Sequence, residues 1–237
     1  MDYFYSPPEY IHQDTLSIEG VEFAHLTHVM RKQEGDAICV VDGLGNAFDV
    51  VIERINQKAA HGRIVKRYAG YHEPAVDLTL AVGVLKNPSK FDFLVEKVAE
   101  LGVKEIIPLT TERTIPSHAK VDRWQKLALA AMKQSGRSFL PVVRDLMTLD
   151  EVLTERDLFD LKIIAHEEQV RGSKDSLPAP HQSQRILILI GPEGGFTLEE
   201  VERCRAAGFQ ILFLGNRRLR TETAAVVATA FALLRPE

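Results

Sequence analysis

The sequence predicts an α/β domain built on a parallel sheet covered by helices, preceded by a small β-barrel. Three observations carry this. Residues 161–165, 186–190 and 211–214 are nearly unbroken apolar runs, as in strands buried on both faces of a parallel sheet. After Pro74, such runs alternate with segments of helical spacing. Before Pro74, short β-branched runs follow one another with no long helix between them, the pattern of a small barrel. Tyr71-His72-Glu73-Pro74 breaks the first rhythm, so the domains are expected over residues 1–74 and 75–237. The whole chain of 237 residues is long enough for both to bury a core.

Taken in order, a helical turn is expected around residues 21–31, then strands over 37–42 and 47–55. Gly43-Leu44-Gly45-Asn46 supplies hairpin chemistry between them. Residues 62–67 read as a further strand, and residues 76–85 as the first strand of the second domain. Phe91, Leu94, Val95, Val98 and Leu101 follow helical spacing, with Asn87 as cap, Pro88 at the first position and Gly102 as the stop. A strand over 105–109 precedes a helix over 122–135, which presents Trp124, Leu127, Ala131 and Met132 on one face and stops at Gly136. Residues 171–184, with Gly, Ser and two prolines, read as a mobile loop. Thr197 and Glu200 form a capping box, and Phe196 and Val201 a hydrophobic staple, for a helix ending at Gly208. The last helix is expected over 222–234, with Thr221 as its cap.

Composition narrows the function classes. Hydrophobic residues make up 45% and charged residues 26%, which excludes a disordered chain and a fibre. Cys39 and Cys204 are too few for a disulfide framework or a four-cysteine zinc site, and the histidines show no zinc-like spacing with them, so no metal is expected. Residues 1–10 do not read as a signal peptide and no run is apolar enough to span a membrane; the expected location is the cytoplasm, with reduced thiols. The net charge is −4: residues 1–74 hold 7 basic against 11 acidic side chains, the rest 22 of each. A nucleic acid would therefore be gripped through local basic patches.

Two loops carry the chemistry. Gly191-Pro192-Glu193-Gly194-Gly195-Phe196 follows a buried strand and opens a helix, the place where open α/β sheets bind ligands. Its glycines let a ligand approach the backbone. Neither a P-loop lysine nor a G-x-G-x-x-G pattern is present, and Glu193 disfavours polyphosphate, so a ligand with a positive or neutral reacting end fits better. A bare strand-to-helix turn explains the same glycines. The second loop, Leu214-Gly215-Asn216-Arg217-Arg218-Leu219-Arg220, also links a buried strand to a helix. Its three arginines suit phosphate or carboxylate, or simply a solvated basic turn.

The strings IGPEGGFTLEEV and LGNRRLRTETAAVVA resemble the last two motifs of the RsmE family, the 16S ribosomal RNA uridine-N3 methyltransferases of the SPOUT class. The resemblance covers the whole chain. It includes His25-Leu26-x-x-Val29-Met30-Arg31 with Gly35-Asp36, and Lys86 through Glu96-Lys97-x-x-Glu100-Leu101-Gly102-Val103. It continues through Thr111-Glu112-Arg113-Thr114, where the family has serine at both ends, and Gln134-Ser135-Gly136-Arg137. Asn216-Arg217-Arg218 departs from the family pattern, which usually has one basic residue there.

The resemblance implies a SPOUT-type sheet with a deep trefoil knot, behind a PUA-like barrel that helps hold RNA. It implies S-adenosylmethionine as the cofactor. Ile190, Gly191, Glu193 and Gly195 would line one side, Leu214, Gly215, Leu219, Arg220 and Thr221 the other, and Ala165-His166-Glu167 a third loop. Glu193 would balance the sulfonium or order its loop. Arg220 would stabilise the uridine N3 anion or a phosphate, and Glu222 would be the base or merely favour the helix N-terminus. Arg31, Lys32, Arg63, Lys66, Arg67, Arg217 and Arg218 would meet RNA. The implied partners are 16S ribosomal RNA in the small subunit and a second copy of the chain, packed partly on the alanine-rich face of the last helix. Two alternatives stay open: a non-catalytic RNA- or ribosome-binding module of the same fold, and a SPOUT enzyme acting on transfer RNA.

Overall fold

The structure is a computed structural model in which residues 3–166 and 184–234 are described. The expected loop over 171–184 lies, but for Gln184, outside those residues, as does Glu167. The chain divides into two compact units, Met1–Glu73 with Met132–Leu140, and Pro74–Ala131 with Pro141–Glu237.

The first unit contains β1 (Tyr3–Tyr5), β2 (Thr15–Glu19), α1 (Gly20–Ala24), a π-helical turn at His25–Val29, β3 (Ala37–Val41), β4 (Asn46–Ile55) and β5 (Ala59–Ala69). They form one sheet in the order β1-β3-β4-β5-β2. The β3–β4 turn is held by the Asp42 carboxylate, which accepts from the backbone N–H groups of Leu44 and Asn46 and from the Asn46 amide. β5 begins earlier than the sequence suggested. The Asn56 side chain accepts from the N–H of Lys58 and of Ala59, closing a tight turn directly into the strand. Register shifts at Asp49/Val50 and Ile52/Arg54 curl the β4–β5 pair.

The expected barrel is thus a curled five-stranded sheet. Its edge segments meet through the Ser6 hydroxyl, which donates to the Ser17 carbonyl at 2.8 Å. Phe4, Leu16, Ile18, Leu26, Val40 and Phe48 fill its core. β1 and β2, three and five residues long, were not expected from the sequence.

The segment Met132–Leu140, assigned by the sequence boundary to the second domain, is tied into this unit by Glu73. Glu73 pairs with Arg137 at 2.6 Å and accepts from the N–H groups of Ser138 and Phe139. Both side chains of the pair are almost fully buried, so losing either leaves an uncompensated charge.

The second unit contains β6 (Asp77–Gly83), α2 (Pro88–Leu101), β7 (Glu105–Thr110), α3 (Val121–Ser135, its end belonging to the first unit), β8 (Val142–Val143), β9 (Met147–Thr148) and α4 (Leu149–Thr154). β10 (Leu161–His166), β11 (Arg185–Ile190), α5 (Leu198–Ala206), β12 (Gln210–Phe213) and α6 (Thr221–Leu233) follow. The sheet is parallel throughout, ordered β12-β10-β11-β6-β7-β8, with β9 also on β7.

Alternate residues serve opposite faces. Ile186, Ile188 and Ile190 pack with Phe91 and Val95 of α2 and with Ala225 and Ala228 of α6. Leu187 and Leu189 pack with Val201 and Cys204 of α5 and Val152 of α4. Burial on both faces is why these strands read as unbroken apolar runs. The α2 boundaries match the expectation: the Asn87 side chain accepts from Ser89 N–H and Gly102 ends the helix at φ +115°.

On the expected alanine face of α6, Ala225, Ala228 and Ala232 are buried within their own unit, whereas Ala224 and Ala230 are partly exposed. Small side chains there let α6 lie close to α2 and the sheet. Phe231 and Leu234 are the exposed apolar residues of this end of the chain.

Candidate active site

β10, β11 and β12 lie side by side and parallel, so their carboxyl ends bring three loops to one edge of the second unit. There they enclose a cavity of about 240 Å³. Every residue expected to hold the cofactor and lying within the described residues lines it: Ala165 and His166 after β10; Ile190, Gly191, Glu193 and Gly195 after β11; Leu214, Gly215, Leu219, Arg220 and Thr221 after β12. Glu222, Arg217 and Arg218 line it too.

The loop after β11 is shaped by close backbone approaches. A Cβ on Gly191 would stand 2.9 Å from the Gly195 carbonyl carbon, and Gly195 itself sits at φ +67°. These are the positions where glycine is required. Gly83, at the end of β6, is required for another reason: a Cβ there would lie 2.4 Å from the Pro192 nitrogen. The Glu193 carboxylate accepts from Lys86 N–H at 3.0 Å, which ties its loop to the segment after β6, as the loop-ordering reading requires. α5 then starts on the expected capping box: Thr197 accepts from Glu200 N–H, and Glu200 from Thr197 N–H. Phe196 and Val201 are buried in the same cluster, as the staple requires.

α6 starts differently, and Thr221 is not its cap. Arg220 occupies the cap position with no side-chain cap bond, and Thr221 is the first helical residue. The Thr221 hydroxyl instead donates to the Gly191 carbonyl at 3.0 Å, a buried bond joining the loops after β11 and β12. Glu222 follows in the first turn and is only 8% exposed. One of its oxygens, Oε1, pairs with Lys90 Nζ of α2 at 3.4 Å. The other, Oε2, is buried with no partner, as is Nε2 of His166. Both residues line the cavity; buried polar atoms are nearly always satisfied, and these two, enclosed beside it, are exceptions.

Lys90, Pro192 and Ala224 also line the cavity and were missed. A lysine in an exposed-looking first helical turn carries no sequence signal of its own. Lys90 acquires meaning only through the packing of α2 on α6.

The expected RNA contacts divide between the units. Arg217 and Arg218 stand at the cavity, whereas Arg31, Lys32, Arg63, Lys66 and Arg67 belong to the first unit. Arg63 pairs with Glu53 at 2.8 Å across exposed sheet surface. Arg67 donates to the carbonyls of His12 and Gln13 and lies over the Phe48 ring. Lys66 lies over Tyr68. Arg31 ends the π-helical segment in a left-handed conformation, φ +53°. The two thiols are core groups: burial pushes Cys39 up to about 11 and Cys204 up to about 12. Among the described residues, no group of three His, Cys, Asp or Glu is placed to hold a metal ion, and no helix is long and apolar enough to cross a membrane.

Comparison with known proteins agrees with this geometry. Residues 72–233 match the RNA methyltransferase domain, and residues 18–65 the RNA methyltransferase PUA domain. The ribosomal RNA small subunit methyltransferase E of Mesomycoplasma hyopneumoniae is 32% identical over 207 residues, covering 85% of this chain and 86% of that protein. The crystal structure of a probable rRNA-methyltransferase from Porphyromonas gingivalis is 34% identical, with a TM-score of 0.84 over 97% of this chain and 95% of that one. The structure of a ribosomal RNA small subunit methyltransferase E from Neisseria gonorrhoeae bound to S-adenosyl methionine is 30% identical, with a TM-score of 0.83 over 97% and 95% of the two chains. The motifs, the parallel sheet with its three-loop cavity and these likenesses converge: the chain belongs to the ribosomal RNA small subunit methyltransferase E family.

Proposed function

We propose that this protein transfers a methyl group from S-adenosylmethionine to N3 of a uridine in 16S ribosomal RNA, acting on the assembled small subunit. The observation that carries the reading is the cavity itself. It joins a glycine-shaped backbone cradle to a buried carboxylate with one unpaired oxygen. The residues fit the cofactor: Gly191 and Gly195 leave backbone room, and the His166 Nε2 orphan offers a partner to a polar group. Ile190, Leu214 and Leu219 give apolar walls. When bound, the cofactor supplies a methyl group on a sulfonium, already activated toward a nitrogen nucleophile.

The protein's task is then to align the base and remove its N3 proton. Glu222 is the acceptor in this reading: Lys90 holds Oε1, and Oε2 is left without a partner. Arg220, one residue earlier on the cavity wall, favours the anionic uracil or fixes a flanking phosphate. Arg217 and Arg218 widen the positive rim for RNA, and the first unit supplies the further contacts of a PUA-like domain. No metal takes part.

The trefoil knot belongs to the same reading. It is supported by the position of β10 between β11 and β12 and by the Thr221–Gly191 bond joining two of the loops. A homodimer, in the cytoplasm, completes the proposal. The exposed Phe231 and Leu234 support a second copy at the end of α6.

Mapping modified uridines in small-subunit RNA from cells with and without the protein tests the reaction. One N3-methyluridine should vanish and return when purified protein and S-adenosylmethionine are added to isolated subunits. Full methylation in its absence, or transfer to transfer RNA alone, contradicts the proposal. Activity lost on chelation contradicts the metal-free chemistry, and light scattering at the mass of one chain contradicts the dimer.

A further inference from the structure

The turn after β7, Thr111-Glu112-Arg113-Thr114, is not among the residues lining the cofactor cavity, yet it is built against the loop after β11. The turn is braced internally: Thr111 N–H donates to the Thr114 hydroxyl at 2.9 Å, and the two threonine hydroxyls lie 3.1 Å apart. It is then fastened to α5, because Glu112 N–H donates to Glu200 Oε1 at 2.9 Å. That fixes the backbone from which Arg113 extends. The Arg113 guanidinium donates to the Gly194 carbonyl at 2.7 Å and reaches the Phe196 carbonyl at 3.5 Å. Its aliphatic stem lies across Gly194, where an added Cβ would stand 3.1 Å from Arg113 Cβ and 3.3 Å from Cδ. Gly194 separates Glu193 and Gly195, which both line the cavity.

We infer that Arg113 is a positioning residue for cofactor binding: it clamps the carbonyls of the loop after β11 from behind, so that Gly191 and Gly195 keep their cradle shape before the ligand arrives. The inference rests on the functional reading above. Both contacts come from one guanidinium nitrogen, Nη1, whose two hydrogens can serve two carbonyls of one loop, and a preformed loop lowers the ordering cost of binding. Because Arg113 is an exposed side chain, its removal should loosen the loop without unfolding the unit.

The test is calorimetry with S-adenosylmethionine on full-length wild type, Arg113→Ala, Arg113→Lys and Gly194→Ala, beside their melting temperatures and steady-state kinetics. Arg113→Ala should raise the cofactor Kd and KM about tenfold, as expected for loss of a charge-assisted hydrogen bond. Its kcat at saturating cofactor should stay within about twofold and its melting temperature should hold. Arg113→Lys should recover part of the affinity. Gly194→Ala, which displaces the arginine stem, should weaken binding in the same direction. Wild type that binds no cofactor sinks the functional reading and this inference with it. Wild type that binds beside an Arg113→Ala variant of equal affinity sinks this inference alone. A variant whose only change is a raised KM for RNA makes Arg113 an RNA contact and overturns it too.

Discussion

α5 and α6 both begin directly after a loop that leaves a buried parallel strand, and both carry a threonine and a buried glutamate at their start. Their polar groups are spent in opposite ways. At α5, Thr197 and Glu200 satisfy each other's backbone, and the second Glu200 oxygen accepts from Glu112 N–H, so nothing is left over. At α6, Thr221 gives its hydroxyl to Gly191 across the cavity, and Glu222 keeps one oxygen unpaired. A helix start that closes on itself stabilises the fold. One that leaves its own end uncapped and turns its groups toward a cavity is giving up stability for chemistry.

A large effect that would sharpen this contrast is expected at Arg220. Arg220→Ala should lower methyl transfer about 100-fold while changing cofactor affinity little, because the cradle is backbone. Arg220→Lys should restore only part, since a point charge does not reproduce a planar fork. Equal losses in rate and affinity would make Arg220 a cofactor residue instead. Gly195→Val comes next. At φ +67°, a β-branched side chain is strained on a loop that lines the cavity, so affinity should fall by at least about tenfold. Unchanged affinity would place the cofactor elsewhere. Thr221→Val keeps the shape but leaves the Gly191 carbonyl unpaired; a several-fold rise in cofactor Kd is expected, and none would break the link between the loops.

The smallest effect lies outside both helix starts and serves as a control. Arg144 donates to both Glu155 oxygens, at 2.7 and 2.8 Å, and holds that carboxyl below the usual carboxylate range. With its folded pKa lowered, the stability it gives is present above the unfolded pKa and lost as pH falls through the folded one. The side chains are more than a quarter exposed, so Glu155→Gln should cost under about 1 kcal/mol at pH 7. Thermal melts should show the gap closing in acid, with methyl transfer at neutral pH unchanged; a gap that widens in acid contradicts the assignment.

How much was legible in the sequence follows from where each signal is stored. The α5 start could be read whole, because its cap, box and staple all lie within six residues. The parallel strands could be read because burial on both faces leaves an apolar run. The cavity lining was reachable only through the family resemblance, since its glycines alone also fit a plain turn. Thr221 was misassigned because a cap is a local inference, while its hydroxyl bonds a residue 30 positions away. Lys90, Gly83 and Arg113 act through contacts 81 to 132 residues apart in sequence, where no periodicity or spacing reaches.

The two buried glutamates offer the most direct measurement. Glu200→Gln and Glu222→Gln are matched in chemistry and burial, and each can be assayed for melting temperature and for single-turnover methyl transfer at saturating cofactor on isolated small subunits. Glu200→Gln should lower the melting temperature and leave the rate within about threefold, because both carboxylate oxygens accept backbone N–H bonds and the amide nitrogen cannot accept, leaving one N–H unpaired. Glu222→Gln should leave the melting temperature unchanged or raised and lower the rate at least 100-fold, as loss of a general base does. Two variants that lose rate only in proportion to stability, or a Glu222→Gln enzyme at wild-type rate, would contradict the account.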